Sequence, residues 1–314
     1  MWLYSLRRTG LAVVIVLCTL FVLFALLRFI PGDPITIALG PRATPEAIQR
    51  YVEKMHLDSS LFVQFFIYVR DALTGDLGTA IFSERPVLTI VGEVLPNTLI
   101  LSVVALGWAV LVGVPLGCFA AIRPNSLLDR ITALLSVGTI AVPAFLISIW
   151  SLLIFAIEFR WLPVIGAGED GDIVDQAVHL ILPSFAVGLG WVGYLARLVR
   201  ASMLEVMGEN YIRAARAYGL PQRMIVYRYA LRVAILPTIT LIGIGFGGLL
   251  SGAVFAEIIF QRPGAGLLIY DMVVGRNFPV VQGAVLVITI VYIFATLVAD
   301  LVVAWLDPRV RETL

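Results

Sequence analysis

Charged residues are scarce in this sequence. Only 14% of its 314 residues are Asp, Glu, Lys or Arg, whereas 60% are hydrophobic and the mean hydropathy is +0.99. Water-soluble globular chains carry about 25% charged residues. The composition therefore indicates a protein whose main solvent is lipid, and no polar block is long enough for a separate soluble enzyme domain.

Cysteine, histidine and lysine are also rare, which argues against several kinds of site. Cys18 and Cys118 lie in separate apolar runs without Cys-x-x-Cys spacing, so neither a disulfide framework nor a thiolate metal site is indicated. The two histidines, His56 and His179, form no His-Glu-x-x-His motif for zinc. The single lysine, Lys54, stands between Glu and Met rather than in the Gly-Lys-Ser/Thr end of a phosphate-binding loop. We predict no metal, no cofactor and no P-loop ATP hydrolysis on this chain.

A serine nucleophile is not indicated either. Around Ser251 the sequence reads GGLLSG, which lacks the glycine two positions before the serine that a Gly-x-Ser-x-Gly turn uses. No catalytic residue is predicted, and we do not expect the chain to be an enzyme.

Long apolar stretches predict an all-α integral membrane protein with about six transmembrane helices. The first stretch resembles a retained anchor, because it runs into Pro-Gly-Asp-Pro without a small-x-small cleavage site. The fourth contains Pro183 and three glycines, which membrane helices tolerate when neighbouring helices satisfy the loosened backbone. The predicted spans are residues 9–30, 97–121, 131–157, 177–199, 235–259 and 280–306.

These spans divide the chain into three parts. Residues 1–30 form an N-terminal tail and the first helix, and residues 31–96 form a long external loop. Within that loop a short helix is predicted from Thr44, as the cap, to about Leu57. Residues 97–314 form a core of five helices, interrupted by a cytoplasmic loop at about 200–234.

The distribution of charge predicts the orientation. From Arg197 to Arg232 there are seven arginines against Glu205 and Glu209, and arginines also precede the first span and follow the last. In contrast, the loop 158–175 has five acidic residues and one arginine. By the positive-inside rule, both termini and the 200–234 segment lie in the cytoplasm.

Few ionisable residues fall inside the predicted spans. Arg28 and Glu257 lie near external ends, where Arg28 can extend to water and Glu257 can reach the interface. Asp300 lies deeper in the sixth span, where pairing with a basic residue of a cytoplasmic segment and a direct role with a solute or ion both stay open. A proton- or ion-coupled carrier is expected to place several such groups near the bilayer midplane, so their scarcity argues against one.

The segment 203–237 is the most informative stretch. A short helical pattern ends at Gly219, where left-handed backbone angles are favoured, and Pro221 prevents the helix from continuing. Alanines at 214, 215 and 217 keep this helix narrow, and arginines line its rim. Such a helix suits insertion into a groove on a partner protein, but the arginines would equally favour an anionic lipid surface.

A family resemblance favours the protein partner. The run Arg213-Ala214-Ala215-Arg216-Ala217-Tyr218-Gly219 resembles the EAA loop of ABC-importer permeases, in which a helix docks on the ATPase subunit. The continuation from Ala230 to Pro237 is similar to the dipeptide, oligopeptide and nickel branch of that family. Further matching stretches are PGDP at 31–34, GDLG at 75–78, LPNTL at 95–99, WLP at 161–163, LILPS at 180–184, ARLVRASMLEV at 196–206 and RNFPVVQG at 276–283.

The resemblance also carries site residues. It implies that the loop contacting the ATPase contains Glu209, Tyr211, Arg213, Ala214, Ala215, Arg216, Ala217, Gly219 and Leu220. A second stretch resembles the family's E-x-x-F-x-x-PGxG run and is expected to face outside or toward a partner; it contains Glu257, Phe260, Pro263, Gly264 and Gly266. Arg262 departs from the family pattern, which has tryptophan before the Pro-Gly pair, and Tyr218 stands where lysine is frequent.

Membership of this family implies the type I ABC-importer permease fold in the inner membrane of a prokaryote. The implied partners are a second related permease, two ATP-binding subunits that carry ATP and Mg, an external solute-binding protein and the lipid bilayer, without nucleic acid. The solute stays open among peptides, glutathione and chelated nickel. A passive channel or a secondary carrier that needs no ATPase is the alternative of a different class. Small hydroxyl residues that could line a pore or pack helices are Ser136, Thr139, Ser148, Thr240 and Ser251.

Overall fold

The computed structural model describes residues 2–29, 58–81 and 83–306, with the isolated positions 44, 49 and 52. Regular secondary structure in these residues is helical, apart from an isolated bridge between Thr79 and Pro86. The helix predicted from Thr44 to Leu57 falls largely outside the described residues. The helices are α1 (Trp2–Phe29), α2 (Leu61–Leu73), α3 (Val87–Ile122), α4 (Leu127–Ala141), α5 (Ala144–Ser151), α6 (Ile173–Met207), α7 (Asn210–Ala217), α8 (Gln222–Met224), α9 (Leu231–Ala234), α10 (Leu236–Ile259), α11 (Ala265–Val274) and α12 (Phe278–Leu306).

Two π-helical segments join these helices. Leu152–Glu158 continues α5, and Ile225–Ala230 connects α8 with α9. The chain divides into two compact units, one comprising Met1–Pro96 with Gly264–Ile293 and the other Asn97–Pro263 with Phe294–Leu314.

The first unit has an aromatic and aliphatic core. Phe24 of α1, Phe65 of α2 and Val280 of α12 are buried in it, and the rings of Phe21 and Phe65 meet edge to face with centroids 5.3 Å apart. Helix α2 was not predicted; it is shorter than a membrane span, which is why a search for long apolar runs passes over it. Helix α3 begins at Val87 rather than at the predicted residue 97.

Helix α6 organises the second unit. The Asp172 carboxylate caps its first turn by accepting hydrogen bonds from the N–H groups of Val174 and Asp175, at 2.9 and 3.1 Å. The helix then continues through Pro183 and contacts α4, α5 and α10. Gly188 allows the close approach of Trp108, since a Cβ at that position would lie 2.5 Å from the indole nitrogen. The fourth predicted span, although rich in glycine, is therefore a single long helix.

The third predicted span, 131–157, is broken rather than continuous. Helix α4 ends at Ala141 and α5 begins at Ala144, with a bend of 98° between the two segments. Val142 has extended backbone angles (φ −91°, ψ 119°), which is the conformation that a following proline favours. Pro143 also has no N–H to continue the helical ladder, so the chain changes direction at this pair.

Three described helices are long and apolar enough to cross a membrane: Val87–Ile122, Ile173–Met207 and Phe278–Ala299. The number is five if each of two bent pairs, Leu127–Ala141 with Ala144–Glu158 and Gln222–Ala234 with Leu236–Gly243, forms one span. The described residues thus form an all-helical protein with three to five apolar spans.

Candidate functional site

Helix α7 is short, and its two faces differ sharply. The carbonyl of Glu209, the residue before the helix, accepts hydrogen bonds from the N–H groups of Ile212 and Arg213 at 3.1 and 3.2 Å. Ile212 and Ala215 are buried, whereas Arg213, Ala214, Arg216 and Ala217 are exposed. Of the predicted alanines, Ala215 therefore faces the protein, and the other two lie on the exposed face.

The end of α7 confirms the backbone conformation predicted for Gly219. This glycine has φ +76°, its N–H donates to the Arg216 carbonyl at 3.0 Å, and the N–H of Leu220 donates to the Ala215 carbonyl at 3.2 Å. Together these two bonds form a Schellman motif, which ends a helix at a left-handed residue. A Cβ at 219 would meet no atom of the described residues within 4 Å, so the preference for glycine there is conformational rather than steric.

A buried apolar cluster attaches α7 to the rest of its unit. Ile212 is fully buried among Met203 of α6 and Val226 of the second π-helix, and the partly buried Leu220 packs against the same cluster. The cluster also receives Cys118 from the end of α3. Burying an isoleucine side chain contributes about 1.5–3 kcal/mol. The helix is therefore seated on a packed base and is not a loosely attached loop.

Polar contacts at the start of α7 are few and peripheral. The Arg213 guanidinium donates to the Gly208 carbonyl at 3.1 Å, which closes the turn between α6 and α7. Partial burial, and then the negative charge of Glu209, raise the pKa of the Tyr211 hydroxyl, so it stays protonated at neutral pH. Tyr218 is 86% exposed just after the helix. The outer face thus offers alanine methyl groups, two arginines and two tyrosines.

One ion pair near this surface was missed from the sequence. Arg200 of α6 donates from Nη2 to Asp129 Oδ2 at 2.8 Å and from Nε to the other carboxylate oxygen. The same carboxylate accepts from the Asn125 N–H at 2.8 Å. The pair joins the turn between α3 and α4 to the part of α6 that leads into α7. From the sequence, Arg200 was counted only among the basic residues of its segment. No sequence pattern identifies Asp129, which is far away along the chain, as its partner.

The second predicted stretch differs from its expectation. Glu257 is completely buried and accepts a hydrogen bond from Thr98 Oγ1 at 2.6 Å, whereas we expected it to reach the membrane interface. Arg262 is also buried; burial lowers the pKa of its guanidinium, and the Glu257 carboxylate opposes that shift. The buried residues are Glu257, Phe260, Gly264 and Gly266, and Pro263 is exposed. Most of the stretch is therefore buried within this chain, and its role in facing the outside or a partner stays a prediction.

The remaining candidates lie within helices. Asp300 belongs to α12, but its side chain is outside the described residues, so its pairing stays a prediction. Ser148 and Ser251 donate to carbonyls four residues earlier in their own helices, at 2.9 and 3.4 Å. Thr139 donates to the Ser136 carbonyl at 3.2 Å. These hydroxyl groups bond within their own helices, so helix packing and a role in lining a pore both stay open.

Comparison with known proteins identifies the family of this chain. The family model described as the inner membrane component of binding-protein-dependent transport systems matches residues 113–312, and the model for the N-terminal part of such components matches residues 1–102. A dipeptide transport system permease of Alkalihalophilus pseudofirmus is 32% identical, over 98% of this chain and 99% of the relative. A probable peptide ABC transporter permease of Sinorhizobium fredii is 35% identical, over 99% and 100%.

Two further proteins extend the comparison. A glutathione transport system permease of Escherichia coli K12 is 35% identical, over 93% of this chain and 95% of the relative. Among solved structures, an inward-facing MetNI methionine ABC transporter superposes with a TM-score of 0.59 at 18% identity, over 70% of this chain and 97% of that one. The superposition supports an ABC-importer permease fold. The family models and the relatives of similar length establish the family to which the chain belongs. This chain belongs to the family of inner membrane components of binding-protein-dependent transport systems.

Proposed function

We propose that this chain is the permease subunit of an ATP-driven, binding-protein-dependent importer and forms half of the translocation pore for short peptides. The observation that carries the proposal is the seating of α7. Its inner face is fixed by Ile212 and Ala215, and its outer face is free to meet another protein. A helix held in this way transmits a push from a partner to the helices beneath it.

The proposed motion begins at the ATP-binding subunits. When they close around ATP and Mg, they carry α7 with them, and the cluster around Ile212 passes the displacement to α3 and α6. The permease then switches from inward to outward facing. The outer face of α7 and the Gly219 turn form the contact with the ATPase, and Ala215 acts from beneath that contact.

The proposed topology has six crossings, with both termini and α7 in the cytoplasm. Helix α1 (Trp2–Phe29) and helix α10 (Leu236–Ile259) cover the first and fifth predicted spans. The remaining predicted spans fall on the three long helices and on the bent α4–α5 pair. The arginines from Arg197 to Arg232 support the cytoplasmic placement of α7.

The proposed partners are a second related permease, two ATP-binding subunits and an external solute-binding protein. Short peptides are the preferred solute because the relatives of nearly equal length include dipeptide and peptide permeases. Glutathione is the second candidate, since a permease named for it is 35% identical to this chain. A nickel chelate is kept as a further alternative from the sequence resemblance alone.

Reconstitution tests the proposal. Liposomes are prepared with this chain, its permease partner, the ATP-binding subunits and the binding protein. We then measure the uptake of a labelled dipeptide and of labelled glutathione, together with ATP turnover. We expect uptake to require ATP and the binding protein, with the dipeptide preferred. Equal uptake by vesicles that contain the permeases alone would instead identify a channel or a secondary carrier.

A further inference from the structure

A second site lies beside the cluster that seats α7. A cavity of about 830 Å³ opens between the end of α3, the start of α4 and the region where α8 meets the second π-helix. Its size is within the range of small-molecule sites, about 300–1,000 Å³. Val226 lines the cavity and also belongs to the cluster around Ile212. An occupant of this cavity would therefore touch the base on which α7 rests.

The polar part of the cavity is positively charged. Arg123 from the α3–α4 turn and Arg223 from α8 both line it and are exposed, and no acidic side chain of the described residues lines it. Among the described residues, neither guanidinium has an ion-pair or hydrogen-bond partner. The nearest acid on the adjoining helix, Asp129, is occupied by Arg200. Two free guanidinium groups lining one cavity from separate elements suit a phosphate, which arginine binds through parallel hydrogen bonds.

The rest of the cavity is apolar and open. Phe119, Leu127 and Tyr227 line it with exposed fractions of 50%, 75% and 51%. A soluble phosphate would gain nothing from these side chains, whereas an acyl chain would cover them. The combination of an arginine pair and exposed apolar side chains thus complements an anionic group that carries a hydrocarbon tail.

We propose that this cavity binds the headgroup of an anionic phospholipid from the cytoplasmic leaflet. The phosphate lies between Arg123 and Arg223, and an acyl chain follows Phe119 and Leu127 toward the bilayer. The proposal rests on the orientation given under the proposed function, which places these arginines at the cytoplasmic surface. Bound lipid would contact the buried cluster that supports α7. The lipid composition of the cytoplasmic leaflet would therefore influence the coupling of ATP hydrolysis to uptake.

Native mass spectrometry of the full chain, released from nanodiscs of phosphatidylglycerol and phosphatidylcholine, tests the site. Arg123→Gln and Arg223→Gln are compared with Arg228→Gln, which removes an exposed arginine that does not line the cavity. We expect each cavity variant to lower phosphatidylglycerol retention about tenfold or more, because each removes a charge-assisted hydrogen bond to the phosphate, and the double variant to lower it at least as much as either single variant. The control should lose at most about the fivefold that one arginine near an anionic surface contributes, and phosphatidylcholine retention should not change.

Three outcomes would overturn the proposal. Retention by the double variant equal to that of Arg228→Gln would show general surface attraction. Complete displacement of phosphatidylglycerol by inorganic phosphate would indicate a free-anion site. A photo-crosslinker at position 127 that reacts with an ATP-binding subunit and not with lipid, in the assembled complex, would identify a protein occupant. Because retention is read without transport, failure of the lipid site leaves the importer function standing, and absent uptake leaves the lipid site standing.

Discussion

Arg200 and Asp129, 71 positions apart in the chain, meet through both oxygens of the carboxylate. The Asp129 side chain is 5% exposed and that of Arg200 31%. The Ser126 hydroxyl accepts from the Asp129 N–H at 3.2 Å, so the residue also takes part in capping α4. The pair therefore links the start of α4 to α6 just before the turn into α7.

Loss of this arginine should destabilise the chain. Arg200→Ala leaves a buried carboxylate without its counter-charge, and we expect a loss of about 2 kcal/mol or more in the free energy of unfolding. Thermal unfolding in detergent measures the effect. Arg85→Ala is the control, because the Arg85–Glu93 pair is about half exposed and such pairs contribute about 0–1 kcal/mol. Equal melting temperatures for the two variants would contradict a structural role for the Arg200–Asp129 pair.

The turn at Gly219 provides a test of coupling. Gly219→Val places a β-branched residue at φ +76°, whereas Gly219→Asn introduces a residue that tolerates left-handed angles. Because a Cβ at 219 meets no described atom of this chain within 4 Å, the two variants differ, within the chain, in backbone strain rather than in crowding. We expect the valine variant to insert normally but to uncouple ATP hydrolysis from uptake, and the asparagine variant to retain most coupling. Similar uptake by both variants would show that this backbone conformation is not required.

Ile212 should control how firmly α7 is held. Ile212→Ala removes a fully buried side chain, which costs about 2–5 kcal/mol, whereas Ile212→Val costs about 0.5–1.5 kcal/mol. A loosened α7 exposes its backbone to trypsin at Arg213 and Arg216, so we expect faster cleavage there in the alanine variant only. Coupled ATP turnover should fall in parallel. Cleavage at an unchanged rate would mean that α7 is held by other contacts.

Two glycines of α3 provide a matched pair for helix packing. A Cβ at Gly117 would lie 2.5 Å from the Ala196 carbonyl oxygen and 2.8 Å from Val199 Cβ, whereas a Cβ at Gly107 meets nothing within 4 Å. Gly117→Ala should therefore push α3 away from α6 and lower the melting temperature of the detergent-solubilised chain. Gly107→Ala should be neutral or slightly stabilising, because alanine favours helices. A lower melting temperature for Gly107→Ala than for Gly117→Ala would contradict the close approach of α3 and α6.

Local signals in the sequence were reliable where short-range chemistry decides the structure. The left-handed Gly219 and the helix before it follow from residues within one turn, and the structure has both. The break at Val142 and Pro143 was missed, although a proline marks it, because hydropathy does not distinguish a continuous apolar helix from a bent one. Proline in a membrane helix can be accommodated, as Pro183 is in α6, and only tertiary packing separates the two cases.

Contacts between distant residues could not be predicted. Glu257 was expected to reach the membrane interface, yet it is completely buried and accepts a hydrogen bond from Thr98 of α3. Asp129 gave no sign of its partner in α6, because pairing across separate helices leaves no spacing rule in the sequence. Both cases concern charges whose burial depends on which helices are neighbours.

The cytoplasmic location of α7 is the central claim, and cysteine labelling tests it most directly. Tyr218→Cys, at an 86% exposed position, is made in a background in which Cys18 and Cys118 are replaced by serine, with Asp170→Cys as the external control. An impermeant maleimide should label position 170 in intact cells and position 218 only in inverted or permeabilised membranes. Labelling of position 218 from outside intact cells would contradict the proposed function.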